Sequence, residues 1–303
     1  MKVVVTGGSG LIGRALAPAL LEAGHEVVVL SRRPTSAKTT SGVRTAPWTP
    51  GQQGEWVGEV AGAGAVVNLA GESVGRWPWT PRRRRALRES RMAATRAIVE
   101  AIASLPPEQR PGVLLNASGT DLYEGRDAVP ADESTPPADT FLGRLCVDWE
   151  AEARRAEPLG VRVVLFRMSL VVAPRAASLR LLMLPFRLFV GGRVGSGRQW
   201  MSWVAIDDVV GLALAALERP AFDGPVNVAA PDPRPQAEFA TAIARAVHRP
   251  SWFPTPAWAI RLALGEQSTL ALGSRRVWPA KALDAGYEFR TPRLEDALER
   301  AVQ

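Results

Sequence analysis

The 303-residue chain is poor in several reactive residue types: it has one cysteine, Cys146, two histidines, His25 and His248, and two tyrosines, Tyr123 and Tyr287. A lone cysteine excludes an intramolecular disulfide framework, and two histidines argue against a histidine-rich metal site, so no metal is expected. Lysine is nearly absent. Only Lys2, Lys38 and Lys281 occur, and the rest of the 37 Lys+Arg residues are arginines. No long apolar run is present either: Leu179–Val190 is interrupted by Arg180, Pro185 and Arg187 and falls far short of the ~20 residues that span a bilayer. The opening Lys2-Val3-Val4-Val5 is too short for a signal-peptide core. These absences lead us to expect a soluble, cytoplasmic protein with no membrane contact. What is present is an ordinary globular mixture, 47% apolar and 22% charged, which excludes wholesale disorder. The length suits one large domain or two small ones.

The formal net charge of +7 raises the question of nucleic acid. The densest basic run, Arg82-Arg83-Arg84-Arg85 with Arg88 and Arg91, follows Thr80, a suitable N-cap, and Pro81, suited to the first helical position. Leu87, Ala94, Ile98, Ala101 and Leu105 then recur on one helical face. The pattern reads as a solvated arginine face above a buried stripe, and with no nucleic-acid motif nearby, nucleic acid is not an expected partner.

Val3–Thr6, Glu26–Leu30, Ala65–Leu69, Val113–Ala117 and Val161–Phe166 are aliphatic runs without polar alternation, the pattern of strands buried on both faces. Helical stretches lie between them at Leu11–Ala23 (broken late by Pro18), Pro81–Leu105 and Phe141–Ala156. The alternation predicts an α/β fold, a Rossmann-type doubly wound parallel sheet, over residues 1–168. Ala205–Arg219 reads as a helix and Pro225–Ala229 as one more strand, so the 206–230 segment is expected to return to that domain. Residues 169–205 and 231–303 are assigned to a smaller C-terminal, substrate-side region.

After the first strand comes Thr6-Gly7-Gly8-Ser9-Gly10-Leu11-Ile12-Gly13, running into a helix. Gly10 leaves room for a pyrophosphate, Gly8 permits the tight turn, and Gly13 allows close helix–strand packing. The helix start offers unpaired N–H groups and a positive dipole end. An NAD-preferring site carries an acid about 20 residues later. Here the second strand ends Ser31-Arg32-Arg33, whose planar donors and hydroxyl suit a 2′-phosphate, so NADP(H) is the expected cofactor. Asn68-Leu69-Ala70-Gly71 ends a later strand at the edge where ligands of open α/β sheets lie, and Leu69, Ala70 and Gly71 are assigned to the cofactor as well.

Together these motifs resemble the extended short-chain dehydrogenase/reductase superfamily. The resemblance narrows to its epimerase-like, cell-division-inhibitor-like branch through Asn68–Glu72 with Arg76-Trp77, Ser90–Thr95, Cys146–Glu150, and Gly195–Trp203 with Asp207-Asp208. Arg249-Pro250, Leu262–Glu266, Val277–Pro279 and Gly286–Phe289 resemble that branch's C-terminal domain of uncertain role. The resemblance implies an NADP(H)-binding, epimerase- or dehydratase-like oxidoreductase acting on a small polar or sugar-nucleotide-like molecule.

The superfamily's acid/base tyrosine with a lysine four residues later is missing. Four residues past Tyr123 stands Asp127, four past Tyr287 stands Thr291, and alignment with the superfamily helix puts Leu142 and Cys146 at the tyrosine and lysine positions. A phenol near pKa 10 without that lysine is poorly matched to neutral pH. Ser118–Glu124, Ser169 and Ala205 also depart from the branch pattern. The catalytic candidates are Ser118, just past a strand end, and Tyr123; Asp121 could serve as a base but reads first as a solvated turn aspartate. Arg198, Gln199 and Trp203 are candidates for the pocket wall, although Trp203 reads first as core packing; Cys146 reads as a small buried hydrophobe, and Asp207-Asp208 as an N-terminal cap. An NADP(H)-holding sensor or scaffold without turnover is the alternative function. Substrate identity, reaction direction and oligomeric state stay open.

Overall fold

The computed structural model describes residues 1–32, 41–52 and 54–302. In chain order the first half comprises β1 (Lys2–Thr6), α1 (Leu11–Glu22), β2 (Glu26–Ser31), β3 (Val43–Pro47), α2 (Trp56–Val60), β4 (Ala65–Asn68), α3 (Pro81–Ser104), β5 (Val113–Gly119), β6 (Arg126–Ala131), α4 (Phe141–Arg154) and β7 (Arg162–Met168). Then follow β8 (Leu170–Val172), α5 (Ala177–Arg187), β9 (Trp200–Met201), β10 (Trp203–Ala205), α6 (Ile206–Glu218), β11 (Gly224–Val228) and β12 (Arg234–Pro235). The chain ends with α7 (Gln236–Ala246), α8 (Ala257–Leu264), α9 (Thr269–Leu272), β13 (Arg275–Val277), α10 (Ala280–Asp284) and α11 (Leu294–Val302).

Seven strands form one sheet in the order β11-β7-β5-β4-β1-β2-β3, and every neighbouring pair is parallel. Chain order runs outward in both directions from β1 and β4, so the topological switch point lies between them, where open α/β sheets bind ligands. The aliphatic strands are continuous because both faces are covered. One face packs on α1 and α6 through Leu16, Leu20, Val209 and Leu212, the other on α2 and α3 through Trp56, Val60, Ile98 and Ile102. The segment after α5 rejoins this body, α6 lying on the α1 face and β11 adding the outer strand beside β7.

β3 is an addition to the aliphatic runs of the sequence. Val43-Arg44-Thr45-Ala46-Pro47 is half polar because it is an edge strand, and Arg44 bonds Glu59 and Glu26 across the rim. A third apolar cluster, including Trp203, Phe239 and Leu298, joins α5, α7 and α11. The acidic pair Asp207-Asp208 does not cap α6 as expected: the N-cap is Ala205, with no side-chain bond. Asp208 is instead fully buried and accepts N–H bonds from Arg290 at 2.7 Å and Thr291 at 3.0 Å, tying the C-terminal segment to the sheet domain. Thr80 does cap α3, accepting from the Arg83 N–H at 3.1 Å, with Pro81 next.

Candidate functional site

The glycine turn occupies the switch point. Gly7 takes the left-handed conformation (φ 70°), and a Cβ there would stand 2.7 Å from the backbone C and O of Leu69. The tight turn therefore belongs to Gly7 rather than to Gly8. Gly8 is excluded from carrying a side chain for another reason, since its Cβ would strike Val29 of β2 at 2.6 Å. Gly13 meets the turn itself, 2.5 Å from the Gly8 Cα. At Gly10 a Cβ would approach only the Gly7 carbonyl oxygen, at 3.2 Å, so the side of the turn that opens α1 is free space. Gly10 is also the N-cap of α1 and supplies no side-chain cap, leaving the amides of Ser9, Leu11 and Ile12 around a helix start.

Behind this turn the register sets Thr6 and Asn68, the last residues of β1 and β4, side by side with Asn116 in the middle of β5. All three are buried and bonded together. The Thr6 hydroxyl donates to Asn68 Oδ1 at 2.6 Å, and Asn68 Nδ2 donates to Asn116 Oδ1 at 2.7 Å and to Thr95 Oγ1 at 2.9 Å. Trp149 of α4 closes the row, its indole N–H reaching Thr95 Oγ1 at 2.9 Å. Buried polar groups satisfied in this way hold the strand ends in a fixed arrangement. Sequence reasoning quoted Thr6, Asn68 and Thr95 only within motifs and gave none of them, nor Asn116, a role, because only the pairing register brings them into one line.

The tip of β2 carries no acid. Arg32 is exposed there, and together with Arg83 and Arg76 its charge helps hold the Glu72 carboxyl below its usual range; the main cause is the hydrogen bond from Arg83. Arg33 lies outside the described residues. Ser31 takes the Trp48 N–H on its carbonyl at 3.0 Å. Gly71, beyond Leu69 and Ala70, is exposed, and a Cβ there would first meet Arg91 Cγ at 3.4 Å. Arg91 lies over the Trp149 ring at 4.9 Å and donates to the Glu72 carbonyl at 3.0 Å.

Neither hydroxyl singled out for catalysis faces open space. Ser118 is 3% exposed and donates to Glu150 Oε1 at 2.7 Å. Tyr123 is fully buried, donates to Asn227 Oδ1 at 2.9 Å and accepts from Arg167. Burial pushes the Tyr123 phenol up to about 12, against the pull of the Arg167 charge. Between them Arg167 makes a two-pronged bond to Glu150, Nε to Oε1 at 2.8 Å and Nη2 to Oε2 at 2.7 Å. This is a buried, charge-compensated network that clamps β5, α4, β7 and β11 together, and it gives both hydroxyls partners inside the protein. Arg167 and Glu150 had a signal in the sequence: a charge ending the buried run Val163-Val164-Leu165-Phe166 needs a counter-charge.

The superfamily positions Leu142 and Cys146 are both buried, and burial with nearby Asp121 and Glu150 pushes the Cys146 thiol up to about 12. Besides the buried Glu150, this corner carries Asp121, on the 3-10 turn after β5. Its Oδ2 would lie 3.5 Å from a Cβ at Gly119, and its Oδ1 is 2.9 Å from Arg275 Nε, a residue of the C-terminal region. Gln199 and Trp203 are structural, bonding the carbonyls of Val194 and Asp232 at 2.9 and 2.8 Å, while Arg198 is exposed. The arginine run at the head of α3 is largely paired, Arg83 with Glu72, Arg84 with Glu266, Arg85 with Glu89 and Arg88 with Asp148. Among the described residues no group of three His, Cys, Asp or Glu side chains could hold a metal ion, and no helix is long and apolar enough to cross a membrane.

A seven-stranded doubly wound sheet with a glycine turn at its switch point defines a Rossmann-type protein. Residues 3–229 match the NAD dependent epimerase/dehydratase family, and residues 255–301 match a domain of unknown function designated DUF1731. The chain belongs to that epimerase/dehydratase family, within the extended short-chain dehydrogenase/reductases. It is 34% identical to the epimerase family protein SDR39U1 homolog, chloroplastic, of Arabidopsis thaliana, covering 100% of this chain and 87% of the relative. It is also 34% identical to the Bacillus subtilis epimerase family protein YfhF, over 100% and 98% of the two chains. Among solved structures, human epimerase family protein SDR39U1 (isoform 2) with NADPH superposes with a TM-score of 0.84 at 31% identity, over 100% of this chain and 99% of that one.

Proposed function

We propose that the protein binds NADP(H) at the glycine turn and acts as an epimerase/dehydratase-like oxidoreductase on a small polar substrate. The observation that carries the reading is the open side of Gly10, a cradle that a single Cβ would narrow, at the start of a helix whose first amides lack a side-chain cap. The Ser9, Leu11 and Ile12 amides would hold the pyrophosphate, the Gly10 amide being spent on the Gly7 carbonyl at 2.9 Å, and Arg32, at a strand tip that carries no acid of its own, the 2′-phosphate. Bound there, the nicotinamide would supply reversible two-electron chemistry. The solved human relative with NADPH supports the phosphorylated form.

Proton transfer in this reading falls to Asp121. Its carboxylate sits on the 3-10 turn just after β5, one-quarter exposed, and is ion-paired with Arg275 at 2.9 Å. Ser118 and Tyr123 serve to hold the strand ends, their hydroxyls being bonded inside the protein. Asp121→Asn keeps the size and one acceptor, so it should leave NADPH affinity within about twofold and lower turnover about 100-fold or more. NADPH fluorescence titration reads the first quantity and nicotinamide absorbance with a panel of sugar nucleotides and small ketones reads the second. Turnover that survives Asp121→Asn would overturn this assignment. The second reading, a cofactor-holding sensor or scaffold, is favoured by the engaged hydroxyls and by apolar residues at positions 142 and 146. Tight NADPH binding without oxidation of the nicotinamide by any member of the panel would support it.

A further inference from the structure

Two stretches of the chain combine exposed arginines with a complete lack of acids. Most surface arginines elsewhere bond an acid, as Arg44, Arg84, Arg88 and Arg144 do. Two stretches differ: residues 158–206 and 239–265 contain no aspartate or glutamate. Arg180, Arg187 and Arg193 in the first, and Arg245, Arg249 and Arg261 in the second, are exposed. None of the six has an ion-pair partner among the described residues.

The same stretches carry most of the exposed large apolar side chains. Leu188 is 63% exposed, Trp252 72% and Leu262 82%, with Phe189, Phe253 and Trp258 all above half. The two stretches meet. Trp252 donates its indole N–H to the Phe189 carbonyl at 2.8 Å, the amides of Trp252 and Phe253 both reach the Gly191 carbonyl at 3.1 Å, and Arg249 lies 4.8 Å over the Phe189 ring. Trp258 and Leu262, four residues apart, share one face of α8, a helix with no buried residue.

We propose that this face docks on the surface of an anionic lipid bilayer. Leucine and aromatic side chains interleaved with unpaired arginines, and without acids, are the composition by which a protein surface enters the headgroup boundary. Charge complementarity selects the occupant: a second copy would set arginine against arginine, whereas an anionic bilayer neutralises them and takes up the apolar side chains. Such docking needs no spanning helix, and it departs from the expectation of no membrane contact. The Trp77 indole donates to the Ala263 carbonyl at 3.2 Å, so the docking face adjoins the segment between β4 and α3.

The test is co-sedimentation of the full chain with vesicles of phosphatidylglycerol and phosphatidylcholine, against pure phosphatidylcholine. Binding should require the anionic lipid and weaken with salt. Arg187→Gln/Arg261→Gln should lower the partition coefficient about 30-fold, and Trp258→Ser/Leu262→Ser about tenfold or more. Both variants change exposed side chains, and unchanged NADPH titration and thermal melting would verify that they fold. Failure to sediment with anionic vesicles, or sedimentation that both variants retain, overturns the proposal. So does a dimer, by analytical ultracentrifugation, that Trp258→Ser/Leu262→Ser dissociates.

Discussion

Replacing Glu150 by glutamine probes the buried network most sharply. The carboxylate receives two bonds from Arg167 and one from Ser118, and both charged side chains are less than one-tenth exposed. Glutamine keeps the shape but leaves the guanidinium without its counter-charge in a low-dielectric setting, and breaking a buried pair in this way costs about 3–5 kcal/mol. With the usual unfolding entropy per residue, a chain of this length should lose about 5–8 °C in Tm. Differential scanning calorimetry measures the shift, and denaturant unfolding gives the free energy at 25 °C. The double variant Glu150→Gln/Arg167→Met removes both charges and should recover part of the loss, so the two single costs will not add. NADPH affinity should stay within a few-fold, since neither residue belongs to the glycine turn. A Glu150→Gln protein within about 0.5 kcal/mol of the parent would refute the view that this ion pair clamps the strand ends.

Three further outcomes follow from the geometry. Gly10→Ala should fold normally yet lose NADPH affinity at least tenfold, because its Cβ meets only one carbonyl oxygen, whereas Gly7→Ala, at φ 70° and 2.7 Å from Leu69, should lose both stability and binding; titration and melting of the pair separate the two effects. Tyr123→Phe should cost about 1–3 kcal/mol through the abandoned Asn227 and Arg167 partners, measured by urea unfolding, while leaving any turnover largely intact. Burial raises the Glu133 carboxyl above its usual 4.5, against N–H bonds from Asn227 and Lys281. From 4.5 up to that raised value the folded protein holds more protons than the unfolded chain, so this group's contribution to stability falls as pH rises, and Glu133→Gln should flatten the slope in urea melts taken across that window.

Much of the sheet was legible because parallel strands covered on both faces are written as aliphatic runs, as in Val3-Val4-Val5 and Val27-Val28-Val29. β3 was not, since an edge strand is free to place Arg44 and Thr45 outward. The glycine turn was visible as a motif, but which glycine takes the left-handed conformation depends on how closely Leu69 of the neighbouring segment approaches Gly7. The polar row Thr6–Asn68–Asn116 depends on register across three strands and leaves no local trace. Tyr123 looked available because it follows a strand end by a few residues. The 3-10 turn that starts at Thr120 carries it into the interior, where Asn227 and Arg167 wait for its hydroxyl. Asp208 was misread for a related reason: an acid in the first turn of a helix suits the dipole, yet here its partners come from residues 290 and 291, more than 80 positions away.

The most direct measurement is isothermal calorimetry of the purified protein with NADPH and with NADH, repeated on Arg32→Ala. Heat of binding with NADPH, a preference of at least tenfold over NADH, and loss of that preference in the variant are the expected results. No heat from either nucleotide, or equal affinity for both in the parent protein, would contradict the assignment of the cleft at Gly10 and Arg32 to NADP(H).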